Sequence, residues 1–447
     1  MAIVLSGALT VRSPEVAVAL TGLLAIAAAC AIYSPVSVTT WLLVVVLIFA
    51  APTLDWPVPV MRLAWLLVGL CLLAIATSDR AAALVRSSPA AWLLLAVPGL
   101  GAAAHWSGVQ SLREATYPFF VVAGCVVIAT WCATERPALF ARILRFLLWA
   151  SVAMAVLAVV QRITGTWPVV DALTGDQYLG SAAYPGRSAA VFGHPIIYAN
   201  FAQFCALVAL LRRPRMWGVI LAANFVGVLL SGSRSAWVGL GLGVILILGL
   251  QIARKLEGGS STRQALAVLL GLTFLIAAAL PQVTGPVATE IQERVRGENA
   301  RVGVDARANR VRAGWDAIAH AGEPLVVAFG RGPGAGNRFW ANAPQQADRG
   351  APTFDNTYIA ILFDFGVVGL GLVVLLCMAA LIVMDWAGRV LLICLLWDIW
   401  SFVALNWPAL LMMIGLAVGV GHSMGRGRSS AASSGAHSES VRLTGSA

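Results

Sequence analysis

Charged residues are scarce in this chain, and that scarcity excludes most classes of soluble protein. Only 11% of the 447 residues are charged, whereas 60% are hydrophobic and the mean hydropathy is +0.85. Soluble domains carry about 25% charged residues, so an ordinary cytosolic enzyme and a disordered protein are both excluded. The composition predicts a protein that crosses a membrane several times.

Residue patterns for disulfides, metals and serine hydrolysis are also missing. The seven cysteines contain no CxxC pair and all lie in apolar stretches, which indicates small core residues. The chain has no HExxH motif and no paired histidines, so we expect no metal and no other cofactor. A GxSxG motif is absent as well, which argues against a serine hydrolase.

The net charge of +10 has a specific distribution along the chain. Basic residues lie mainly between apolar runs and in one long loop. This pattern indicates membrane topology and a local anionic partner, and it does not suggest a nucleic acid. Because the arginine clusters fall in alternate connections, we expect those connections to be cytoplasmic and the long loop to be external.

Long apolar runs predict an all-α polytopic membrane protein of about 12 or 13 transmembrane helices, with short helices in one large external loop. We expect N-terminal helices over residues 1–161 and central helices over 162–280. An external arginine-rich loop follows over 281–354, and C-terminal helices over 355–423. The tail over 424–447 is rich in Ser, Gly and Ala, which predicts a disordered cytoplasmic segment.

The external loop is the most unusual part of the chain. It carries nine arginines against seven acidic residues, and a loop of about 70 residues is uncommon unless it is functional. Residues 304–320 predict an amphipathic helix with Arg310 and Arg312 off its apolar face. The residues predicted to share that face are Val304, Ala308, Val311, Trp315 and Ile318. The glycine-rich run 330–336 is open to two interpretations, a flexible turn or a direct grip on phosphate.

Arg234 lies in a polar corner between two apolar helices, in the sequence Leu-Ser-Gly-Ser-Arg-Ser that begins at Leu230. An isolated arginine at such a place usually extends to the membrane interface. The neighbouring serines and glycine favour a second interpretation. A guanidinium, hydroxyls and free N–H groups at a helix start suit a phosphate oxyanion.

Four further side chains have both a structural and a functional interpretation. Asp355 is typical of a helix N-cap, yet it also suits a carboxylate that accepts a proton from a sugar hydroxyl. Asp364 and Asp398 lie within apolar helices, where carboxylates are costly and usually functional, with an arginine as partner. The same pair of carboxylates is compatible with the proton relay of a transporter. His194 suits a helix cap somewhat better than a catalytic role.

Taken together, these features resemble the O-antigen ligase/polymerase superfamily, the Wzy_C or WaaL-like membrane glycosyltransferases. The elements occur in the family order between about residues 185 and 420. They are Gly-His-Pro at 193–195, Ser-Gly-Ser-Arg-Ser at 231–235, Arg310 to Trp315 followed by Gly-x-Gly-x-Gly from 330, Asp-Asn-Thr-Tyr at 355–358, and Asp-x-Gly-x-x-Gly from 364.

The resemblance implies transfer of a glycan from undecaprenyl pyrophosphate to a hydroxyl acceptor at the outer face of the bacterial cytoplasmic membrane, without metal. Arg234 matches the corner arginine of the family, and Arg310 best matches its loop arginine. These two arginines and Asp355 are therefore the predicted catalytic residues. The predicted substrate-binding residues are His194, Arg312, Arg338, Asn356 and Asp364.

The chain departs from the ligase pattern at one position. Ligases of this family have a histidine before the Asn of the helix that returns into the membrane, whereas this chain has Asp355. We therefore predict a polymerase that joins repeat units of a surface polysaccharide, with an O-antigen-type ligase as the alternative. The implied partners are a lipid-linked oligosaccharide donor, a glycan or lipid acceptor, the bilayer, and a chain-length regulator or flippase. A transporter that uses Asp364, Asp398 and Arg234 is the alternative of another class.

Overall fold

The computed structural model describes residues 33–49, 60–80, 82–83, 89–98, 109–167, 186–258, 298–320, 322–332, 335–336, 339, 356–400 and 407–424. These residues form helices and connecting turns, without a strand among them. The α-helices are α1 (Pro35–Phe49), α2 (Val60–Ala76), α3 (Val109–Glu135), α4 (Pro137–Thr164), α5 (Pro195–Arg212), α6 (Trp217–Ser231), α7 (Arg234–Gly258), α8 (Glu298–Ala319), α9 (Pro324–Phe329), α10 (Thr357–Val383), α11 (Trp386–Trp400) and α12 (Pro408–Met424).

The prediction of an all-α polytopic membrane protein is confirmed. Within the described ranges, α3, α4, α5, α7 and α10 contain segments long and apolar enough to cross a membrane. Four shorter apolar helices, α1, α2, α6 and α12, lie beside them. Helices suit this setting because each satisfies its backbone hydrogen bonds internally. The predicted spans at 16–33 and 265–280 and the tail after 424 lie outside the described residues.

One predicted span differs from the structure. The apolar run 90–105 predicts a membrane helix, but Pro89–Leu95 forms a 3₁₀ helix followed by a single turn that reaches residue 98. Pro98 lacks a backbone N–H and therefore cannot donate the hydrogen bond of a regular helix. This short segment packs against α3 and α10.

Helix α5 is the centre of the bundle. The segment of α5 that is long enough to cross a membrane is 94% buried, whereas the corresponding segment of α10 is only 11% buried. Small residues allow the neighbouring helices to approach α5 closely. A Cβ on Gly227 of α6 would lie 2.3 Å from the Tyr198 hydroxyl, and one on Gly243 of α7 would lie 2.6 Å from Leu207. The centre of the bundle is therefore rigid, and α10 lies at its edge.

Candidate active site

The corner between α6 and α7 is a tight turn of two residues. Gly232 ends α6 in the left-handed region at φ 64°, and its N–H donates to the Leu229 carbonyl at 3.0 Å. Glycine adopts this conformation without steric cost. Helix α7 then begins at Arg234, which is half-buried. The local sequence thus places the Arg234 side chain on the first turn of a helix.

The serines of this corner mainly build the turn. The Ser231 hydroxyl donates to the Val228 carbonyl at 2.7 Å and accepts from the Ser233 N–H at 3.2 Å. The hydroxyls of Ser233 and Ser235 lie 3.1 Å apart. Ser231 and Ser233 are both buried. The corner is therefore held by its own side chains, so the position of Arg234 is largely preorganised.

A second arginine, which belongs to none of the sequence motifs, lies at the same corner. The Arg187 Nε donates to the Ser231 carbonyl at 2.8 Å, and the Ser188 N–H donates to the Leu230 carbonyl at 3.0 Å. The Trp167 indole N–H donates to the Arg187 carbonyl at 3.2 Å. Arg187 therefore brings a second positive charge to the end of α6. Its position in the sequence, shortly before the Gly-His-Pro element, is the feature that could have indicated Arg187 as a site residue.

His194 and Asn356 both act as helix N-caps. The His194 Nδ1 accepts from the Ile196 N–H at 3.2 Å, and its ring lies 5.3 Å from the Trp407 ring. The Asn356 Oδ1 accepts from the Ile359 N–H at 3.1 Å. These caps fix the starts of α5 and α10. A substrate-binding role for either residue stays a prediction.

Helix α8 confirms a helix in the long loop, but its packed face is not the predicted one. Trp315 is 56% exposed, so its prediction as an apolar-face residue is wrong. Ile318 is buried as expected, in a cluster with Leu362 and Phe363 of α10. The small residues Ala313 and Ala317 pack against the same cluster. They let the backbone of α8 approach α10, which outweighs the hydrophobicity of the tryptophan.

This rotation of the packed face separates the two candidate loop arginines. Arg310 is half-buried. Gly314, four residues further along α8, is buried and lies on the same side of the helix. The expected position of Arg310 off the packed face is therefore wrong. Arg312 is exposed and lies on the side of the exposed Asp316. Arg310 therefore lies on the side of α8 that packs against α9 and α10, and Arg312 does not.

This difference predicts unequal effects of two matched substitutions. Arg310→Ala should lower the rate of glycan formation about 100-fold, the scale expected for loss of one charged donor in the transition state. Arg312→Ala should lower it less than about tenfold, because an exposed side chain is screened by solvent. Initial rates of the two purified variants check the order. An equal loss in both variants would contradict the assignment of Arg310.

The glycine-rich turn after α9 docks onto a break in α10. Gly366 has φ 67° and ψ −170° inside α10, so the helical hydrogen bonds stop there. The Arg331 N–H donates to the Phe363 carbonyl at 2.9 Å, and the Gly332 N–H donates to the Asp364 carbonyl at 3.0 Å. The turn therefore satisfies carbonyls that the break releases.

Close backbone contact makes this docking dependent on glycine. A Cβ on Gly330 would lie 2.4 Å from the Asp364 carbonyl carbon, and one on Gly366 would lie 2.3 Å from the Ala328 carbonyl oxygen. The Asp364 carboxylate accepts from the Gly336 N–H at 2.9 Å. Asp364 thus holds the loop, and its predicted role in substrate binding stays a prediction. Residues 330–332 and 336 are thus held against α10.

Helix α11 joins the start of α10 to the Arg234 corner. The Tyr358 hydroxyl donates to the Leu396 carbonyl at 2.9 Å. The indole N–H of the next residue, Trp397, donates to the Ser235 carbonyl at 3.2 Å. The starts of α5, α7, α10 and α12 therefore lie at one end of the bundle, here called the site end. The structure does not describe Asp355 and Arg338, so their positions stay predictions.

An apolar cavity of about 450 Å³ extends along α10 from the site end. Thr357 and Tyr358 line it at that end, and Val383 and His422 line it at the other. Most of the remaining lining comes from aliphatic side chains of α3, α10, α11 and α12. The cavity therefore follows α10 over most of its length and suits an apolar chain.

Residues 217–374 match the family model described as O-antigen ligase. The match covers 158 of the 447 residues and supports the O-antigen ligase/polymerase superfamily. The matched segment begins at the start of α6 and ends within α10, so it includes Arg234, Arg310, the glycine-rich turn and Asp364. Members of this superfamily are glycosyltransferase-like membrane enzymes that act on lipid-linked glycans. The chain matches no curated protein sequence.

The superfamily motifs therefore have a shared structural setting in this chain. The Ser-x-Ser-Arg corner carries the arginine, and the Gly-x-Gly and Asp-x-Gly motifs form the two sides of one backbone contact. Within the described residues, no group of three His, Cys, Asp or Glu side chains is arranged to hold a metal ion. The described cysteines, Cys71, Cys125, Cys132, Cys205, Cys377 and Cys394, are free thiols.

Proposed function

We propose that this enzyme transfers a glycan from undecaprenyl pyrophosphate to a hydroxyl acceptor, joining repeat units of a surface polysaccharide. The reaction is placed at the outer face of the bacterial cytoplasmic membrane, as expected from the arginine distribution. The superfamily match supports a lipid-linked glycan as substrate. The arrangement of charge and apolar surface at the site end supports the proposed donor.

The observation that carries the proposal is the position of a cationic corner beside an apolar cavity. Tyr358 lines the cavity and bonds Leu396, while the neighbouring Trp397 bonds the corner at Ser235. A polyprenyl pyrophosphate combines a long apolar chain with an anionic head group. Its chain would follow α10, and its pyrophosphate would meet Arg234. This fit supports a lipid-linked donor over a free sugar nucleotide.

The arginines suit the chemistry of the leaving group. As the bond between the sugar anomeric carbon and the phosphate oxygen breaks, its electron pair goes to the pyrophosphate. Arg234 and Arg310 stabilise this growing negative charge, and charge-assisted bonds from a preorganised guanidinium are strong. The acceptor oxygen forms the new bond to the anomeric carbon, and Asp355 takes its proton. These steps assign to arginine the charge stabilisation that a metal ion supplies elsewhere.

The role of Asp355 has a direct test. Asp355→Asn keeps the size of the side chain but removes the proton acceptor, so glycan formation should fall about 100-fold or more. Asp316→Asn, at an exposed position of α8, is the matched control and should keep the normal rate. Rates are measured at equal amounts of inserted protein. Normal product from Asp355→Asn would remove Asp355 from the mechanism.

The proposed reaction is tested with purified protein and an authentic lipid-linked oligosaccharide donor, resolved by gel. A ladder of longer lipid-linked products from donor alone supports the polymerase. Product that forms only after a separate acceptor is added supports the ligase. Absence of product under both conditions contradicts a transferase and favours transport.

A further inference from the structure

Beneath the Arg234 corner, two polar side chains from different helices meet at a glycine. Gln203 of α5 and Asp398 of α11 are 1% and 0% exposed. Both approach Gly239 of α7, which lies five residues after Arg234, or about 7.5 Å along the helix. Polar groups buried inside a membrane protein are costly and usually have a function.

The contact leaves no room for a side chain on Gly239 unless Gln203 or Asp398 moves. A Cβ at this position would lie 2.7 Å from the Gln203 Nε2 and 3.1 Å from the Asp398 Oδ1. It would also lie 3.0 Å from the Gln203 Oε1. The backbone of α7 is therefore pressed against the polar atoms of both neighbours. Its position relative to α5 and α11 depends on the polar pair.

Helix α11 contacts the beginning of α7 at two successive turns. Trp397 donates to the Ser235 carbonyl at 3.2 Å, and the adjacent Asp398 faces Gly239, one turn further along α7. Ser235 directly follows Arg234. The two contacts thus fix the turn of α7 that carries Arg234, both in its position along the helix axis and in its rotation about that axis.

We propose that Gln203 and Asp398, seated against Gly239, are positioning residues for Arg234. This inference rests on the proposed function, in which the guanidinium stabilises the leaving pyrophosphate. Misplacement of a catalytic group by about 1 Å costs on the order of 100-fold in rate. A shift of the first turn of α7 therefore lowers kcat while the binding of the acceptor is unchanged.

A double-mutant cycle with Arg234→Lys tests the proposal. Gly239→Ala and Asp398→Leu should each lower kcat about tenfold or more, with the acceptor KM changed less than about twofold. In the Arg234→Lys enzyme, the same substitutions should lower kcat less than about threefold, because groups that act through one another are not additive. Asp398→Asn retains the shape and polarity of the side chain and should keep most of the rate.

Gly241→Ala is the matched control, because no atom lies within 4 Å of its added Cβ. Thermal unfolding of each variant separates loss of fold from loss of position. Equal losses of kcat in the normal and Arg234→Lys enzymes overturn the proposal, as does a normal kcat in Gly239→Ala. If the unsubstituted enzyme makes no product from an authentic donor, the proposed function fails and this inference with it.

Discussion

Arg234→Ala is expected to abolish glycan formation while the protein stays inserted and folded. The guanidinium begins α7 at a corner held by hydrogen bonds from Gly232 and Ser233, so its loss leaves the turn intact. Loss of one preorganised donor to a developing charge typically costs about 100- to 1,000-fold in kcat. The rate of product formation and the melting temperature of the purified variant measure the two effects separately.

Arg234→Lys should retain part of the rate, because the positive charge remains while the planar, bidentate geometry is lost. Arg215→Ala is the matched control. Arg215 is exposed and precedes α6, at the end of that helix opposite to Arg234. It should change the rate less than about twofold. Activity in Arg234→Ala equal to that of Arg215→Ala would remove the corner from the mechanism.

Gly366→Ala is expected to detach the glycine-rich turn from α10 and to inactivate the enzyme. The added Cβ would lie 2.3 Å from the Ala328 carbonyl oxygen and 2.5 Å from the Gly330 N. Gly366 also has φ 67°, and such a backbone conformation costs a residue with a side chain about 1–3 kcal/mol before any clash. Release of the turn also removes the bond from the Arg331 side chain to the Ala317 carbonyl, one of the contacts that hold α8 beside α10, and so shifts Arg310.

The same helix offers a control for this substitution. Gly371 lies five residues further along α10, and nothing lies within 4 Å of an added Cβ. Gly371→Ala should leave activity unchanged and raise helix stability by up to about 1 kcal/mol. Limited proteolysis at the exposed Arg331 reports the docking of the turn. Faster proteolysis of Gly366→Ala with normal activity would show that the docked turn has no role in the reaction, and unchanged proteolysis would show that docking does not depend on Gly366.

The local features of this protein were predictable because their causes are local. Apolar runs predict helices since a membrane leaves the backbone no other way to satisfy its hydrogen bonds. A glycine between serines predicts the corner before Arg234, because glycine reverses a helix end at little cost. His194 precedes α5 and caps it as predicted, whereas the cap of α10 is Asn356 and not the predicted Asp355.

Features that depend on distant parts of the chain were not predictable in the same way. Hydrophobic periodicity placed Trp315 on the packed face of α8, but the structure packs the smaller Ala313 and Ala317 there. The choice of face depends on how closely the backbones of α8 and α10 approach each other. A periodic pattern in the sequence carries no information about that distance. Arg187 lies at the site because its side chain donates to a carbonyl at the end of α6. The residues beside Arg187 in the sequence do not indicate this partner.

The glycines of the docked turn show the same division between local and distant causes. Gly330 and Gly366 both belong to motifs that are visible in the sequence. Glycine is required at each because a Cβ at either position would collide with the backbone of the segment that carries the other. The sequence alone established the helices, the corner and the residue types of the site. Only the tertiary structure shows that the turn packs against the broken helix. Backbone N–H and carbonyl groups form this contact, and because backbone groups are common to all residues, the side-chain types do not indicate it.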